Sequence, residues 1–355
     1  MTDWLRFLRI FLIVAGASVA LIVGLIVWAN PYRNIPFVSQ QRPLMDLNQR
    51  YLYPSVARDL TFDSAVFGTS SIRLLKPEEL EQALGGRFAE LGMNDATAYE
   101  IYRLARLFLE YRQMSGRMPR TVIFGIDIRF CQVEETYQQF TPRPFPPWMF
   151  DHDPWNDLLY LFNGKTIEIA GRILAYQLGL RRKLNYESSG YSNFLPSRDR
   201  YDLARARQHI YGQEEPKPVV AQEPPFRASA AERAGWIYAS HALIDDLLPL
   251  VPAQTRLLFV MVPYHHYIQA PSGSRQAEQW DECRRRLVGK ARRHPNAMVV
   301  DFMRPSPITR EDGNYWDPLH YSVETAALVS KLIGKAADGN GNDERYAILH
   351  DGLRR

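Results

Sequence analysis

Near the C-terminus, Asp317-Pro318-Leu319-His320 sets a carboxylate three residues before an imidazole, and far upstream Gly68-Thr69-Ser70 follows a short strand-like run. A serine hydroxyl is a weak nucleophile. It needs a neighbouring base to take its proton, and that base needs a partner to fix its tautomer and stabilise its charged form. Ser70, His320 and Asp317 have the residue types for these three roles. Ser71 is the backup nucleophile, because a one-residue shift in the turn would exchange the two serines. Taken singly, each residue has an ordinary role: serines commonly close turns and cap helices, and a histidine beside a tyrosine is commonly a satisfied surface or core residue. Trp316 and Tyr321 flank the second motif and would help exclude water, which strengthens electrostatics. His265-His266 is the rival imidazole pair. Adjacent side chains point in different directions and no cysteine stands nearby, so neither a metal site nor a cofactor is expected.

The elements that must position these groups alternate. Residues 64–68 read as a buried strand, and Pro77 with Glu78 and Glu79 marks a helix start. Residues 88–91 form a second strand candidate leading into Gly92-Met93-Asn94-Asp95. From 96 to 113, Ile101, Leu104, Ala105 and Phe108 recur at helical spacing, and 121–128 is a β-branched run. Strand, helix, strand in this order predicts a parallel sheet with right-handed crossovers. Residues 132–228 break the pattern with proline-aromatic segments, including Trp148 and Trp155, and read as a largely helical insertion on the strand ends, a lid or a packing elaboration. Alternation resumes at Ser229-Ala230-Ala231-Glu232, a capping box for a helix to about residue 250. A strand at 256–262, a helix at 276–294, a strand at 297–302 and a last helix at 322–335 follow. Residues 337–355 read as a loose polar tail. In an open parallel sheet, sites form at the carboxyl ends of the strands, which lets Ser70 and the Asp317-x-x-His320 loop meet.

A Gly-x-Ser just after the first strand, followed late in the chain by Asp-x-x-His, resembles the SGNH (GDSL-like) hydrolase superfamily over roughly residues 60–335. More narrowly, it resembles the membrane-anchored, periplasmic, DltD-like or alginate O-acetylation-like branch. Gly68-Thr69-Ser70-Ser71 lacks the second glycine of the nucleophile elbow, which argues against an α/β-hydrolase. The resemblance implies a three-layer α/β/α domain over 60–336, SGNH/flavodoxin-like, with a central mostly parallel sheet. It also implies oxyanion donors: the nucleophile's own N–H, a glycine N–H after the second strand, and an asparagine after the third. Here the glycine position falls nearest Asp95, whose left-handed tolerance would still let its N–H serve. The asparagine position falls on Asp127, which cannot donate when ionised. Loss of one such donor costs on the order of 10²–10³ in rate, so Asn94 or a protonated Asp127 would have to substitute. Arg73 is expected to make a salt bridge on the following helix, or else to orient an anionic substrate group.

The implied activity is acyl transfer to, or ester hydrolysis on, an exopolysaccharide or cell-envelope glycan, with acetyl as the group and a membrane-bound acyltransferase as donor. A non-catalytic polysaccharide-binding or assembly component that keeps the fold is the alternative, favoured by the altered Asp127 position.

Hydrophobic content of 46% and charged content of 23% over 355 residues describe a folded globular chain. A net charge of +4 without a basic stripe excludes nucleic acid as the expected partner. The clusters Arg181-Arg182-Lys183 and Arg284-Arg285-Arg286 read as solvated helix faces or contacts to membrane phosphates. Residues 10–29 are an unbroken apolar run, enough at ~1.5 Å per residue to cross a ~30 Å hydrocarbon core. Arg6 and Arg9 precede it, which predicts residues 1–9 in the cytoplasm, a single-pass inner-membrane anchor and an exported remainder. The run exceeds a usual ~7–15 residue signal core, so an uncleaved anchor is favoured over a signal peptide. Residues 30–59, rich in proline and arginine, read as a linker. Export would permit Cys131 and Cys283 to bond. With one predicted after a strand and the other within a helix, the sequence favours their staying apart.

Overall fold

Strand runs such as Thr-Val-Ile-Phe-Gly-Ile and Ala-Met-Val-Val-Asp lack polar alternation, as strands buried on both faces require. In the computed structural model, which describes residues 2–35, 37–38, 42–181, 186–212 and 218–353, these runs form the centre of a sheet. Along the chain come α1 (Thr2–Ala29), α2 (Gln49–Arg58), β1 (Ser64–Gly68), α3 (Pro77–Leu84), β2 (Phe88–Gly92), α4 (Ala98–Met114), β3 (Thr121–Ile126) and α5 (Ile128–Cys131). There follow α6 (Pro154–Asp157), α7 (Gly164–Gln177), α8 (Leu203–Tyr211), α9 (Ala230–Gly235), α10 (His241–Leu247), β4 (Arg256–Met261) and α11 (Arg275–Ala291). The chain ends with β5 (Ala297–Asp301), β6 (Tyr315–Asp317), β7 (His320–Tyr321), α12 (Val323–Ala337) and β8 (Ala347–Asp351).

The chain forms two compact units, one of Met1–Ser55 with Phe145–Ser188, the other of Val56–Pro144 with Ser189–Arg355. The second holds an α/β fold around a sheet ordered β2-β1-β3-β4-β5-β8. The first five strands are parallel, with Ser64 opposite both Phe88 and Thr121, Thr121 opposite Arg256, and Leu257 opposite Ala297. From β1 the chain first adds β2 on one side and then β3 on the other. Loops after β1 and β3 therefore diverge at the carboxyl ends of the strands, where a crevice is expected in such sheets. Helices bury their apolar stripes in pairs, α3 against α12 and α4 against α10. Thr97 and Glu100 close a reciprocal capping box at the start of α4.

The tail expected to be loose instead supplies β8, antiparallel to β5 with Met298 opposite Asp351. The apolar Ala347 and Ile348 find an open strand edge there. The helix expected over 229–250 is broken into α9 and α10, because the intervening Tyr238 forms a bridge with Glu134. Cys131 and Cys283 form a disulfide, against the expectation from sequence, since α5 turns back from β3 directly onto α11. Arg284 pairs with Asp281 and Asp301, and Arg285 and Arg286 both pair with Glu282, so that cluster is a salt-bridged helix face.

In the first unit, α1 is long and apolar enough to cross a membrane, and its apolar surface is almost entirely uncovered. The stretch expected to be a linker is in good part folded. Tyr32, Leu44, Met45 and Tyr53 are buried, Asn34 donates to Asp157 at 3.3 Å, and α2 begins at Gln49. The insertion expected over 132–228 is divided: 145–188 belongs with the N-terminal segment, while 132–144 and 189–228 belong with the sheet. Arg182-Lys183 and 213–217 of the second proline-rich run lie outside the described residues.

Candidate active site

The turn after β1 is seated by Ile72. A Cβ on Gly68 would lie 2.8 Å from Ile72 Cγ2, and one on Gly125 would lie 2.7 Å from Ile72 Cδ1. Two glycines on neighbouring parallel strands thus make room for one isoleucine, which folds Thr69–Ser71 back across the ends of β1 and β3. Ile72 N–H donates to Thr69 O at 3.3 Å and closes the turn. Ser70 is left half-buried at the crevice, whereas Thr69 and Ser71 on either side are buried.

Asp317 and His320 sit on the two strands of a tight hairpin, opposite each other across Pro318-Leu319. Asp317 Oδ1 accepts the backbone N–H groups of Leu319 at 2.9 Å and His320 at 3.0 Å. His320 Nδ1 lies 2.9 Å from that oxygen and 2.8 Å from Oδ2. His320 Nε2 lies 2.8 Å from Ser70 Oγ. With Nδ1–H held by a carboxylate, Nε2 carries the lone pair and faces the hydroxyl proton. Asp317 is held below the usual carboxylate range: burial pushes it up, but the hydrogen bond and charge of His320 and the two backbone donors outweigh that. Phe194 meets the imidazole edge-on at 5.3 Å and completes its setting.

Ser71, the backup nucleophile, does not face His320. Its hydroxyl is buried and directed to Tyr264 OH at 3.5 Å. Asp127 is not placed as an oxyanion donor either. It caps α5 by accepting Arg129 N–H at 2.9 Å, and it also accepts from the hydroxyls of Thr69 and Tyr264. Burial raises its pKa, opposed by these donors. Asp127 therefore acts as an acceptor beneath the nucleophile turn and ties Thr69 to the start of α5. Neither Thr69 nor Tyr264 stood out in the sequence, although Tyr264 follows β4 at the sheet edge where sites collect.

The loop after β2 is joined to this turn by Met93 N–H donating to Gly68 O at 2.9 Å. Asp95 has φ 51°, the left-handed conformation its type tolerates, and its carboxylate pairs with Arg129. Asn94 Oδ1 accepts from Arg73 Nη1, which turns the amide nitrogen to the opposite edge. Arg73 is no helix-surface ion pair and does not reach solvent. It is buried, lies 3.9 Å from the buried Glu90, and stacks under Phe194 at 4.7 Å. It is a strut between β2, the 92–95 loop and the ring that touches His320. Removing one partner of such a buried pair strands the other, at about 3–5 kcal/mol.

The hairpin is gripped from α8 and from the loop after β4. Tyr211 donates to Asp312 Oδ1 at 2.6 Å, Arg207 to Oδ2 at 2.7 Å, and Tyr201 to Tyr315 O at 2.8 Å. His265 N–H donates to Pro318 O at 2.9 Å, at the hairpin's tip. His265 Nδ1 accepts from Tyr267 N–H, so its proton sits on Nε2, 3.2 Å from Asp312 Oδ1. Burial and the neighbouring His266 lower the pKa of His265, which keeps the ring neutral. His265 of the rival pair is thus part of the hairpin's support, while His266 is bonded to Thr309 O. Among the described residues no group of three or more His, Cys, Asp or Glu side chains is arranged to hold a metal ion. Trp316 packs against His209 and Tyr201 at the rim, and Tyr321 is buried beneath. No protein-family model matches the chain, and no curated protein matches it.

Proposed function

We propose that this chain is a membrane-anchored acyl-ester enzyme of SGNH type, built as a three-layer α/β/α domain of the DltD-like or alginate O-acetylation-like kind. The observation that carries the reading is the unbroken line from Ser70 Oγ through both nitrogens of His320 to the Asp317 carboxylate, with Ser70 open to the crevice. His320 Nε2 takes the Ser70 proton as Oγ attacks the acyl carbonyl. The carbonyl oxygen takes the negative charge in the tetrahedral intermediate, and collapse expels the leaving alkoxide, which receives the proton from His320. A sugar hydroxyl or water, deprotonated by the same nitrogen, then attacks the acyl-serine and frees Ser70. Asp317 stabilises the imidazolium at both steps. The backbone N–H groups of Ser70 and Asp95 and the Asn94 amide are the donors for the oxyanion, replacing the role that Asp127 cannot fill.

The Cys131–Cys283 disulfide favours an oxidising compartment. Together with Arg6 and Arg9 before α1, it supports a single-pass inner-membrane anchor and a periplasmic domain. There the substrate is an exopolysaccharide or cell-envelope glycan, the acyl group is acetyl, and a membrane-bound acyltransferase supplies it.

The test is turnover of an aryl acetate by the full chain in detergent, with fluorophosphonate labelling read by mass spectrometry. Activity and a label on Ser70 are expected, both lost in S70A and H320A and both kept in S71A. A chain that neither turns over nor labels is the non-catalytic glycan-binding component, and activity lost in S71A but kept in S70A refutes the assignment of the nucleophile.

A further inference from the structure

We infer that the first unit carries a lipid-binding collar, which seats α6 and α7 in the outer boundary between headgroups and acyl chains beside the anchor. The proposal rests on α1 being a membrane span and adds a second contact with the bilayer.

The argument begins on α7. At about 100° per residue, Thr166, Ile169, Ala170 and Ile173 lie on one side of this helix, and all four are buried. Ile169, Ala170 and Ile173 pack with Ala29 at the end of α1 and with Met45, with Leu25 alongside. Ile167, Leu174 and Leu178 fall on the adjacent side and are exposed, Leu178 at 64%. Lys165, Glu168 and Arg172 occupy the remaining arc, paired among themselves. The apolar arc is thus much wider than the surface that α1 and Met45 cover. An amphipathic helix of this kind lies in an interface plane.

Depth follows from α1. The apolar run 10–29 covers ~30 Å at ~1.5 Å per residue, so its last turn, where α7 packs, lies where hydrocarbon gives way to headgroups. Next to α7, the segment around α6 exposes Trp155 at 61% and Leu159 at 81%, with Phe162 also uncovered. Trp155 stacks with Phe37, and Tyr160 with Trp148. Aromatic side chains concentrate at membrane interfaces because an apolar ring with a polar edge suits that depth. An apolar and aromatic surface continuous with the uncovered surface of a span has lipid as its occupant.

The experiment uses single cysteines in the full chain, whose native pair is bonded and takes no label. Nitroxides at V19C, L159C, L178C and K165C are measured in vesicles of phosphatidylethanolamine and phosphatidylglycerol, comparing collision with oxygen, which partitions into lipid, and with a nickel chelate, which stays in water. V19C reports the anchor and K165C the charged arc of α7. An oxygen-to-nickel ratio several-fold higher at L159C and L178C than at K165C is expected. If L159C and L178C are as nickel-accessible as K165C while V19C remains in lipid, the collar is refuted and the anchor stands. If both are shielded from oxygen and nickel alike, protein covers this face and the collar is again refuted. If V19C itself is in water, anchor and collar fall together.

Discussion

Replacing Asp317 by asparagine should disable the site without unfolding it, and the geometry says how. Oδ1 accepts two backbone N–H groups at 2.9 and 3.0 Å, whereas the hydrogen bonds recorded for Oδ2 go to His320 Nδ1 alone, at 2.8 Å. An asparagine keeps both backbone bonds only by placing its oxygen at the Oδ1 position. Its NH2 then faces Nδ1, which must become the acceptor, so the imidazole proton moves to Nε2. That nitrogen then points a proton at Ser70 and has no lone pair to receive one. The expected loss in kcat is about 10⁴-fold, or about 5.5 kcal/mol at about 1.36 kcal/mol per decade. The assay is steady-state turnover of the aryl acetate by D317N across pH, with the urea midpoint as a control for folding. A midpoint close to wild type with kcat within tenfold of wild type would refute the tautomer argument. In the wild type, the pKa of Asp317 is depressed, so its contribution to stability is complete above the unfolded carboxylate value and is lost only as pH falls through the lower folded value.

Two further outcomes follow from groups beneath the site. Burial raises the pKa of Asp127, so the folded state retains a proton that the unfolded chain releases. Its contribution is fully present below the unfolded value of ~3.9 and is lost as pH rises through the folded one. D127N should accordingly show a shallower fall of the urea midpoint with rising pH than wild type, and parallel curves would refute the assignment. The Cys131–Cys283 bond closes a loop with a sequence separation of 152. The chain-entropy relation for a loop of that length gives about 5 kcal/mol. C131S/C283S should lose stability of that order in urea unfolding, and equal midpoints for the variant and the oxidised wild type would refute it.

What could be read from sequence was whatever depends on local pattern. The parallel strands are short, mostly apolar runs, with Glu90 in β2 a buried exception, and Ser70 and His320 stand out because a Gly-x-Ser turn and an Asp-x-x-His pair each have a local signature. Ser71 could not be set aside from sequence, since only the backbone direction imposed by Ile72 on Gly68 and Gly125 decides which serine faces the crevice. Asp127 looked like a failed oxyanion donor because its role depends on burial and on Thr69 and Tyr264, which reach it from other strands. The disulfide and the edge strand β8 depend in the same way on partners distant in the chain. In 189–212, the absence of periodicity concealed Phe194 and α8, both of which bear on the hairpin that carries His320.

That hairpin explains why an irregular stretch belongs to the unit that holds the sheet. A two-stranded ribbon is marginal by itself in water, yet the acid and the base both sit on one that is only three residues paired with two. His320 Nε2 stands at hydrogen-bond length from Ser70 Oγ, so small rotations of the ribbon would break the contact. Asp312, just before the ribbon, takes Tyr211, Arg207 and His265 on its two oxygens, and this charge-assisted set holds its pKa low against burial. At the other end, His265 N–H fixes the turn through Pro318 O. His265 thus engages both the base and the tip of the ribbon, and its neutral, proton-donating ring is the form that Asp312 requires. The second histidine-carboxylate pair in the domain thus holds the ribbon that sets the first beside the serine.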